Sequence, residues 1–434
     1  MKRTAGPLRV ALLGHGTVGA ETARALTGRA AELSARIGAP VELAGIAVRR
    51  PRTLPGIDGS LVTTDAHALV SRGDIDVVVE LIGGMEPARS LITTAMETGA
   101  SVVTANKALI ASEGVDLHHI ARKQGVGLAY EAAVAGAVPV LRPLRQSLAG
   151  DRIQRVTGIV NGTTNFILDR MTRSGGTFQG ALHEAQRLGY AEADPTGDVS
   201  GADAAAKMAI LARLAFDTEL PIERVQFEGI THIGPGDIAH AEAGGYVIKL
   251  VGTCDRTPDG VNARVHPMLI PLEHPLAGVR GADNGILVEA RAAGELMFHG
   301  AGAGGLATSS AVLGDLVELC RDRVAGPGTA PAEFSQVLPL RPLAQVAGRY
   351  HVSMFVTDEP GVLSQVSAVF AEHGVSLETV RQEGLGPQAQ LALVTHRATD
   401  AAVTEVIAGL AALPCVLGTV RSIRILGHRK EPVG

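Results

Sequence analysis

Leu8-Arg9-Val10-Ala11-Leu12-Leu13-Gly14-His15-Gly16-Thr17-Val18-Gly19 is the stretch on which the fold of this 434-residue chain turns. Residues 8–13 form a short apolar run, the mark of a buried strand, and helical spacing follows over 18–33. Between them lie three glycines with distinct uses. Gly14 permits a tight turn, Gly16 lets the backbone approach a pyrophosphate, and Gly19 lets helix pack on strand. The helix start at Thr17 and Val18 then offers free N–H groups and positive dipole to phosphates. A lone G-x-G-x-x-G carries little weight. At the first strand-to-helix turn of an alternating pattern it marks a dinucleotide site.

The alternation continues. Residues 41–48 and 75–82 read as buried strands, 87–98 as a helix and 101–104 as a fourth strand. This order favours an α/β, Rossmann-type domain over 1–135, completed by residues around 300–330. Its second strand ends Val48-Arg49-Arg50-Pro51-Arg52, with no acid for the ribose hydroxyls of NAD(H). A solvated turn would also carry arginines. The pattern favours NADP(H), with Arg49 facing the 2′-phosphate, and leaves NAD(H) as an alternative.

Residues 136–320 have an α+β texture, with strands at 153–160, 246–253 and 285–292 among several helices. Pro327, Pro331, Pro339 and Pro342, with Gly326 and Gly328, mark a linker over 321–347. From 348 to 428 the order is strand, helix, strand, strand, helix, strand, the ferredoxin-like βαββαβ unit.

Composition bounds the function. At 46% hydrophobic and 19% charged, the chain can build cores in two or three domains; with 3% aromatics and no Trp, those cores must be aliphatic. A net charge of −5 without a long basic run excludes a nucleic-acid surface. No apolar run reaches membrane-span length and the N-terminal residues do not read as a signal peptide, so a cytoplasmic protein without a membrane partner is expected. Cys254, Cys320 and Cys415 are too few and too scattered for a disulfide framework or a metal site.

Asp203 and Lys207 stand four apart on a helix of small apolar residues and so share one face. A surface ion pair would have the same spacing. This helix has no general polar face, however, and Glu192, Asp194 and Asp198 crowd the loop before it. Carboxylates in a cleft can hold an amino-acid ammonium group, and a lysine among them can give a proton to a carbonyl oxygen. Lys107 follows Thr104-Ala105-Asn106 at the C-terminal edge of the sheet, where open α/β folds bind ligands; a solvated loop lysine is the alternative. Asn161-Gly162-Thr163-Thr164-Asn165 is a polar turn near the nicotinamide, or a helix cap. The glycine run at 300–305 is a second backbone approach to the cofactor, or a loop with little side chain.

In order, the chain carries G-H-G-T-V-G at 14–19, V-V-V-E-L-I-G-G at 77–84, V-T-A-N-K-A-L at 103–109 and Y-E-A-A-V-A-G at 130–136. N-G-T-T-N-F-I-L at 161–168, G-Y-A-E-A-D-P at 189–195 and G-A-G-A-G-G at 300–305 follow. Together these resemble homoserine dehydrogenase over essentially the whole chain. Asp358-Glu359-Pro360-Gly361-Val362-Leu363, between strand and helix, resembles an ACT domain.

The resemblance implies reversible NAD(P)H-dependent reduction of L-aspartate 4-semialdehyde to L-homoserine, in threonine, methionine and isoleucine biosynthesis. It implies Lys207 as proton donor and Lys107 at the junction of cofactor and substrate. Asp203, Glu192, Asp198 and the Gly189 backbone become substrate contacts; Gly83, Thr104, Gly302 and Gly304 join the glycine loop as cofactor contacts. It implies a sodium-type monovalent cation on the main-chain carbonyls of Glu131, Val134, Gly136 and Val138. It also implies a homo-oligomer, dimer or tetramer, paired through 136–320, and threonine as feedback effector of the ACT domain, with Gly361 at its site. His15 lies at a variable position of the loop and takes no role. The first strand begins near residue 8, as expected of a monofunctional form.

Two rival readings fare worse. An acylating enzyme such as aspartate-semialdehyde dehydrogenase needs a thiolate, and no cysteine here sits in a glycine-flanked turn. A catalytically dead dinucleotide or amino-acid sensor would have no need of both lysines and all the acids.

Overall fold

A computed structural model of the chain describes residues 6–326, 334 and 336–427. The N-terminal sheet is parallel, in the order Val62–Thr63, Val41–Ala47, Leu8–Leu13, Val77–Glu80, Ser101–Thr104, Leu128–Ala129. Its central strands are buried on both faces, which is why they read as unbroken apolar runs. From Leu8–Leu13 the chain steps to one side for Val41–Ala47 and to the other for Val77–Glu80. The crevice at that reversal is where the glycine loop lies.

The helix expected over 18–33 is two helices, Thr17–Gly28 and Ala30–Ile37, broken at Arg29. Gly28, a poor helix former, stands at that break. Helix Gly305–Ala325 returns to complete this domain: Ala311, Val312, Leu316 and Leu319 share a core with Val10, Leu12, Val77 and Val79. It runs through 321–325, which composition assigns to the linker; the helix ends only at Gly326, with φ +94. Pro327, Gly328 and Pro331 lie outside the described residues. Further on, the linker is pinned as an edge segment, with Val261 N–H donating to the Pro339 carbonyl at 2.8 Å and Arg341 N–H to the Val261 carbonyl at 2.8 Å.

The second sheet runs Gly294–Ala301, Asp283–Ala290, Ile153–Ile159, Tyr246–Thr257, Gly260–Pro271, and then continues. Its next strands are those of the C-terminal unit: Val416–Ile425, Ala347–Thr357, Gln388–Thr395 and Leu377–Leu385. The join is a parallel pairing of Met268 with Arg424 and Leu269 with Ile425. The expected strand 246–253 extends to Thr257, and Gly260–Pro271 completes a hairpin. Buried Asp255 and nearly buried Arg264 interrupt the apolar pattern there; they pair at 2.8 Å. Among the described residues no helix is long and apolar enough to cross a membrane.

Candidate active site

Helix Ala202–Phe216 starts at Gly201, held left-handed at φ +89, and is buried along nearly its whole length between the second sheet and helix Lys107–Gln124. Asp203 and Lys207 therefore stand one turn apart in a nearly dry setting. Lys207 Nζ donates to the Val160 carbonyl and to Asp203 Oδ2, each at 2.7 Å. From the other domain, Lys107 Nζ reaches within 2.5 Å of Asp203 Oδ1. Lys107 is the first residue of its helix, which Asn106 caps by accepting from Leu109 N–H at 3.1 Å. The Asp203 side chain is 7% exposed and that of Lys107 46%, so one end of the cluster is closed and the other open.

Burial alone would push the Asp203 carboxyl up, but Lys207 and Lys107 outweigh it and hold it well below the usual carboxylate range. Burial likewise opposes the charge on Lys107; Asp203 first, then Asp198 and Glu192, raise it instead. Cation and anion are both fixed at neutral pH.

Asn161 is the residue whose double use the sequence could not separate. Its Oδ1 caps the next helix by accepting from Thr164 N–H at 2.8 Å, and its Nδ2 donates to Asp198 Oδ1 at 2.7 Å and Asp203 Oδ2 at 2.8 Å. Thr163 Oγ1 lies 2.6 Å from the Tyr190 carbonyl and 3.1 Å from Asp198 Oδ2, tying the Gly189 loop to the cluster. Gly189 itself is left-handed at φ +79 and exposed, and Glu192 is exposed beside it. Asp194 is turned to a local task, accepting from Thr196 N–H and Oγ1.

The dinucleotide crevice has the expected glycine geometry. A Cβ at Gly14 would fall 2.9 Å from the Leu81 carbonyl oxygen, and one at Gly19 only 2.3 Å from that of Gly14. At Gly16 the space is open, and no side chain caps the helix at Thr17 and Val18, so its first N–H groups remain for an anion. Arg49 is exposed at the strand end, while Arg52, which the sequence did not single out, donates to the His15 carbonyl in the loop.

Glu80, also unforeseen, organises the crevice floor. Wholly buried, it accepts from Ile82 N–H at 2.8 Å, Gly83 N–H at 2.9 Å and Thr104 Oγ1 at 2.5 Å. Thr104 thus turns its hydroxyl inward, which fits it to shape the crevice rather than to present that group to a cofactor. An acid ending an apolar strand, Val77-Val78-Val79-Glu80, was the available signal.

The second glycine run closes on the first. A Cβ at Gly305 would meet Thr17 Cγ2 at 2.9 Å, and Gly304 sits at φ +122. One at Gly302 would meet the buried Asn284 amide at 2.3 Å. Next to it, Ala135 and Gly136 make a left-handed turn, φ 57 and 58, and a Cβ at Gly136 would lie 2.4 Å from the Gly302 carbonyl oxygen. Glu131, Val134, Gly136 and Val138 are buried. Among the described residues no backbone N–H is bonded to the carbonyls of Val134, Gly136 or Val138, and that of Glu131 takes only a long bond, 3.3 Å, from Val134. Buried carbonyls left without N–H donors are the type of oxygen ligand that a hard cation takes.

Gly361 lies apart from this site, left-handed at φ +91 where helix Val362–Glu372 begins. Burial pushes the Cys320 thiol up to about 12 and that of Cys254 higher still, so neither of these two supplies the thiolate of acylating chemistry.

A dinucleotide crevice whose lip carries an ammonium–carboxylate–ammonium cluster defines a nicotinamide-dependent oxidoreductase acting on a small polar substrate. Residues 14–131 match the NAD-binding domain of homoserine dehydrogenase, 139–317 the homoserine dehydrogenase family, and 350–413 the ACT domain. A homoserine dehydrogenase of Mycobacterium tuberculosis is 51% identical, over 97% of this chain and 98% of its own. The crystal structure of one from Thiobacillus denitrificans superposes with a TM-score of 0.92 at 40% identity, covering 97% of this chain and 98% of that one. A hyperthermophilic archaeal homoserine dehydrogenase in complex with NADPH gives 0.62 at 25%, covering 72% of this chain and 98% of its own. The chain belongs to the homoserine dehydrogenase family. It is an NAD(P)-dependent oxidoreductase that interconverts L-aspartate 4-semialdehyde and L-homoserine, and it carries a C-terminal ACT domain.

Proposed function

We propose that the reduction takes place where Lys107, Asp203 and Lys207 meet, with Lys207 as the proton donor. The observation that carries this is the hydrogen bonding of Lys207: of its three N–H donors, two are held by Val160 and Asp203, which leaves one aimed by the other two. The reduced nicotinamide, when bound at the glycine loop, supplies the hydride to the aldehyde carbon. Lys207 delivers its free proton to the carbonyl oxygen as charge develops there, and half-exposed Lys107 stabilises that charge. Asp203 stays ionised throughout and orients both lysines. Glu192 and Asp198 hold the substrate ammonium, and the Gly189 backbone shapes the pocket beside them. Lys207→Ala should lower kcat by about two orders of magnitude or more, read as NADPH consumption with aspartate semialdehyde, while NADPH still binds. Near-normal turnover in that variant would remove Lys207 from the role.

NADP(H) is the favoured cofactor, with Arg49 on the 2′-phosphate. A sodium-type cation sits on the carbonyls of Glu131, Val134, Gly136 and Val138, and its charge there locks the 131–138 turn against the glycine run at Gly302. The chain divides near 135, 320–347 and 348 into nucleotide-binding, catalytic and regulatory parts. It works in the cytoplasm as a dimer or tetramer paired through the middle domain. Threonine acts on the ACT domain as feedback effector, and Gly361 is the contact the sequence suggests.

A further inference from the structure

We propose that Arg213 is a positioning residue for the reaction. It fixes the first turn of helix Lys107–Gln124 against helix Ala202–Phe216, so that Lys107 meets Asp203 at the open end of the cluster. The inference rests on reading Lys107, Asp203 and Lys207 as the reacting site. Arg213 lies on the catalytic helix just under two turns beyond Lys207 and is 4% exposed. Each of its guanidinium nitrogens donates to a backbone carbonyl: Nη1 to Ile110 at 2.9 Å, Nη2 to Ala111 at 2.6 Å, and Nε to Leu220 at 2.9 Å. Among the described residues no carboxylate bonds to it, and burial works against its charge. A cation buried without a counter-ion is costly, and packing alone would ask for an aliphatic side chain here. What the arginine adds is a planar fork that grips two successive carbonyls in one orientation. Gly114, buried inside the Lys107 helix, makes room for it. A Cβ there would lie 3.4 Å from Nη1, so a longer side chain would enter the seat of the guanidinium.

The contact at Asp203 cannot fix that helix alone. The Lys107 side chain is 46% exposed, and an ion pair so open holds weakly. The apolar core that the two helices share, with Leu109, Ile110, Met208 and Ala212 among its members, sets their separation. It does not set their register, because burial has no direction. The hydrogen bonds of Arg213 do. Asp203 and Arg213 stand about 15 Å apart along one helix. From there Asp203 takes the side chain of Lys107, and Arg213 takes the backbone one turn further on. A slide or roll of that turn would carry the Lys107 ammonium off Asp203 Oδ1. Lys207, on the same helix as Arg213, would stay in place.

The test is a double-mutant cycle on the full chain, read as kcat/KM for L-aspartate 4-semialdehyde, with NADPH binding followed by fluorescence. Arg213→Met should lower kcat/KM by about tenfold or more in the wild-type background, and by less than about twofold in a chain already carrying Lys107→Ala. NADPH should bind to Arg213→Met as to wild type, since the glycine loop is untouched. Arg213→Lys keeps the charge but cannot fork across two carbonyls; it should fall in the same direction, and it carries the test if the methionine variant does not fold. An equal loss in both backgrounds would make Arg213 a structural tie that does not act through Lys107, and the proposal would be wrong. No loss in the wild-type background would overturn it outright, while a large effect of Lys107→Ala would keep the reading of the site intact. Normal turnover in Lys107→Ala alone would bring down that reading of Lys107 and the role of Arg213 together.

Discussion

Lys107 and Lys207 approach one carboxylate from different domains, Lys107 2.5 Å from Asp203 Oδ1 and Lys207 2.7 Å from Oδ2. The closure of the two domains and the alignment of the proton donor are thus one interaction. Asp203→Asn keeps the shape and removes the charge, leaving Lys207 buried without its counter-ion. We expect a loss of about 3–5 kcal/mol in urea unfolding and a fall in kcat/KM of about a hundredfold or more. The sign with pH follows from the depressed carboxyl: its stabilisation is complete above the unfolded value, near 4, and is lost as pH falls through the lower folded value. The variant should therefore lose less stability than wild type on acidification below about pH 4.

Two arginines flank the nucleotide end in different ways, and kinetics can tell them apart. Arg49 is exposed, whereas Arg52 is tied to the His15 carbonyl of the loop. Arg49→Ala should raise KM for NADPH about tenfold and leave that for NADH nearly unchanged, as expected for the loss of one charge-assisted phosphate contact. Arg52→Ala should raise both together, because the glycine loop serves either cofactor. Equal effects of Arg49→Ala on the two cofactors would remove it from the 2′-phosphate.

What the sequence made legible was what depends on local pattern. The glycine loop and the apolar parallel strands lie within a few residues of where spacing places them, and the six elements of the ACT unit follow in the expected order. What it hid depends on distant partners. Glu80 reads as an ordinary acid until the N–H groups of Ile82 and Gly83 fold over it. The pairing of Leu269 with Ile425, which fuses two domains into one sheet, joins segments with no shared local signal. Gly294–Ala301 went unread because an edge strand exposed on one face carries no apolar run.

Asp315 should make stability fall through the neutral range. Burial raises its carboxyl to about 7, against the opposing pull of Arg142 and the Glu131 N–H bond. For an acid raised in the folded state, the contribution is whole below the unfolded value, near 4, and is lost as pH climbs through 7. Thermal melting of the wild type between pH 5 and 8 should show a decline of roughly 1–4 kcal/mol beyond that of Asp315→Asn. Parallel curves for the two proteins would mean that Asp315 is already ionised at pH 5.

Gly136 offers the sharpest test of the cation. Its left-handed φ of 58 and the 2.4 Å from a Cβ to the Gly302 carbonyl oxygen forbid a side chain without moving the glycine run. The buried Glu131 carboxylate, accepting from Val140, Leu141 and Arg142 N–H, holds the far end of the turn rigid, so the displacement must fall on the carbonyls between. Gly136→Ala should therefore fold, with a loss of roughly 1–3 kcal/mol, and should lose its response to sodium. The wild type, in contrast, should gain thermal stability as sodium replaces a bulky organic cation at constant ionic strength, since only a ligand of the folded state raises its melting point. Melting curves of the two proteins across a sodium titration decide the matter: a wild type indifferent to sodium would leave the turn a structural corner and nothing more.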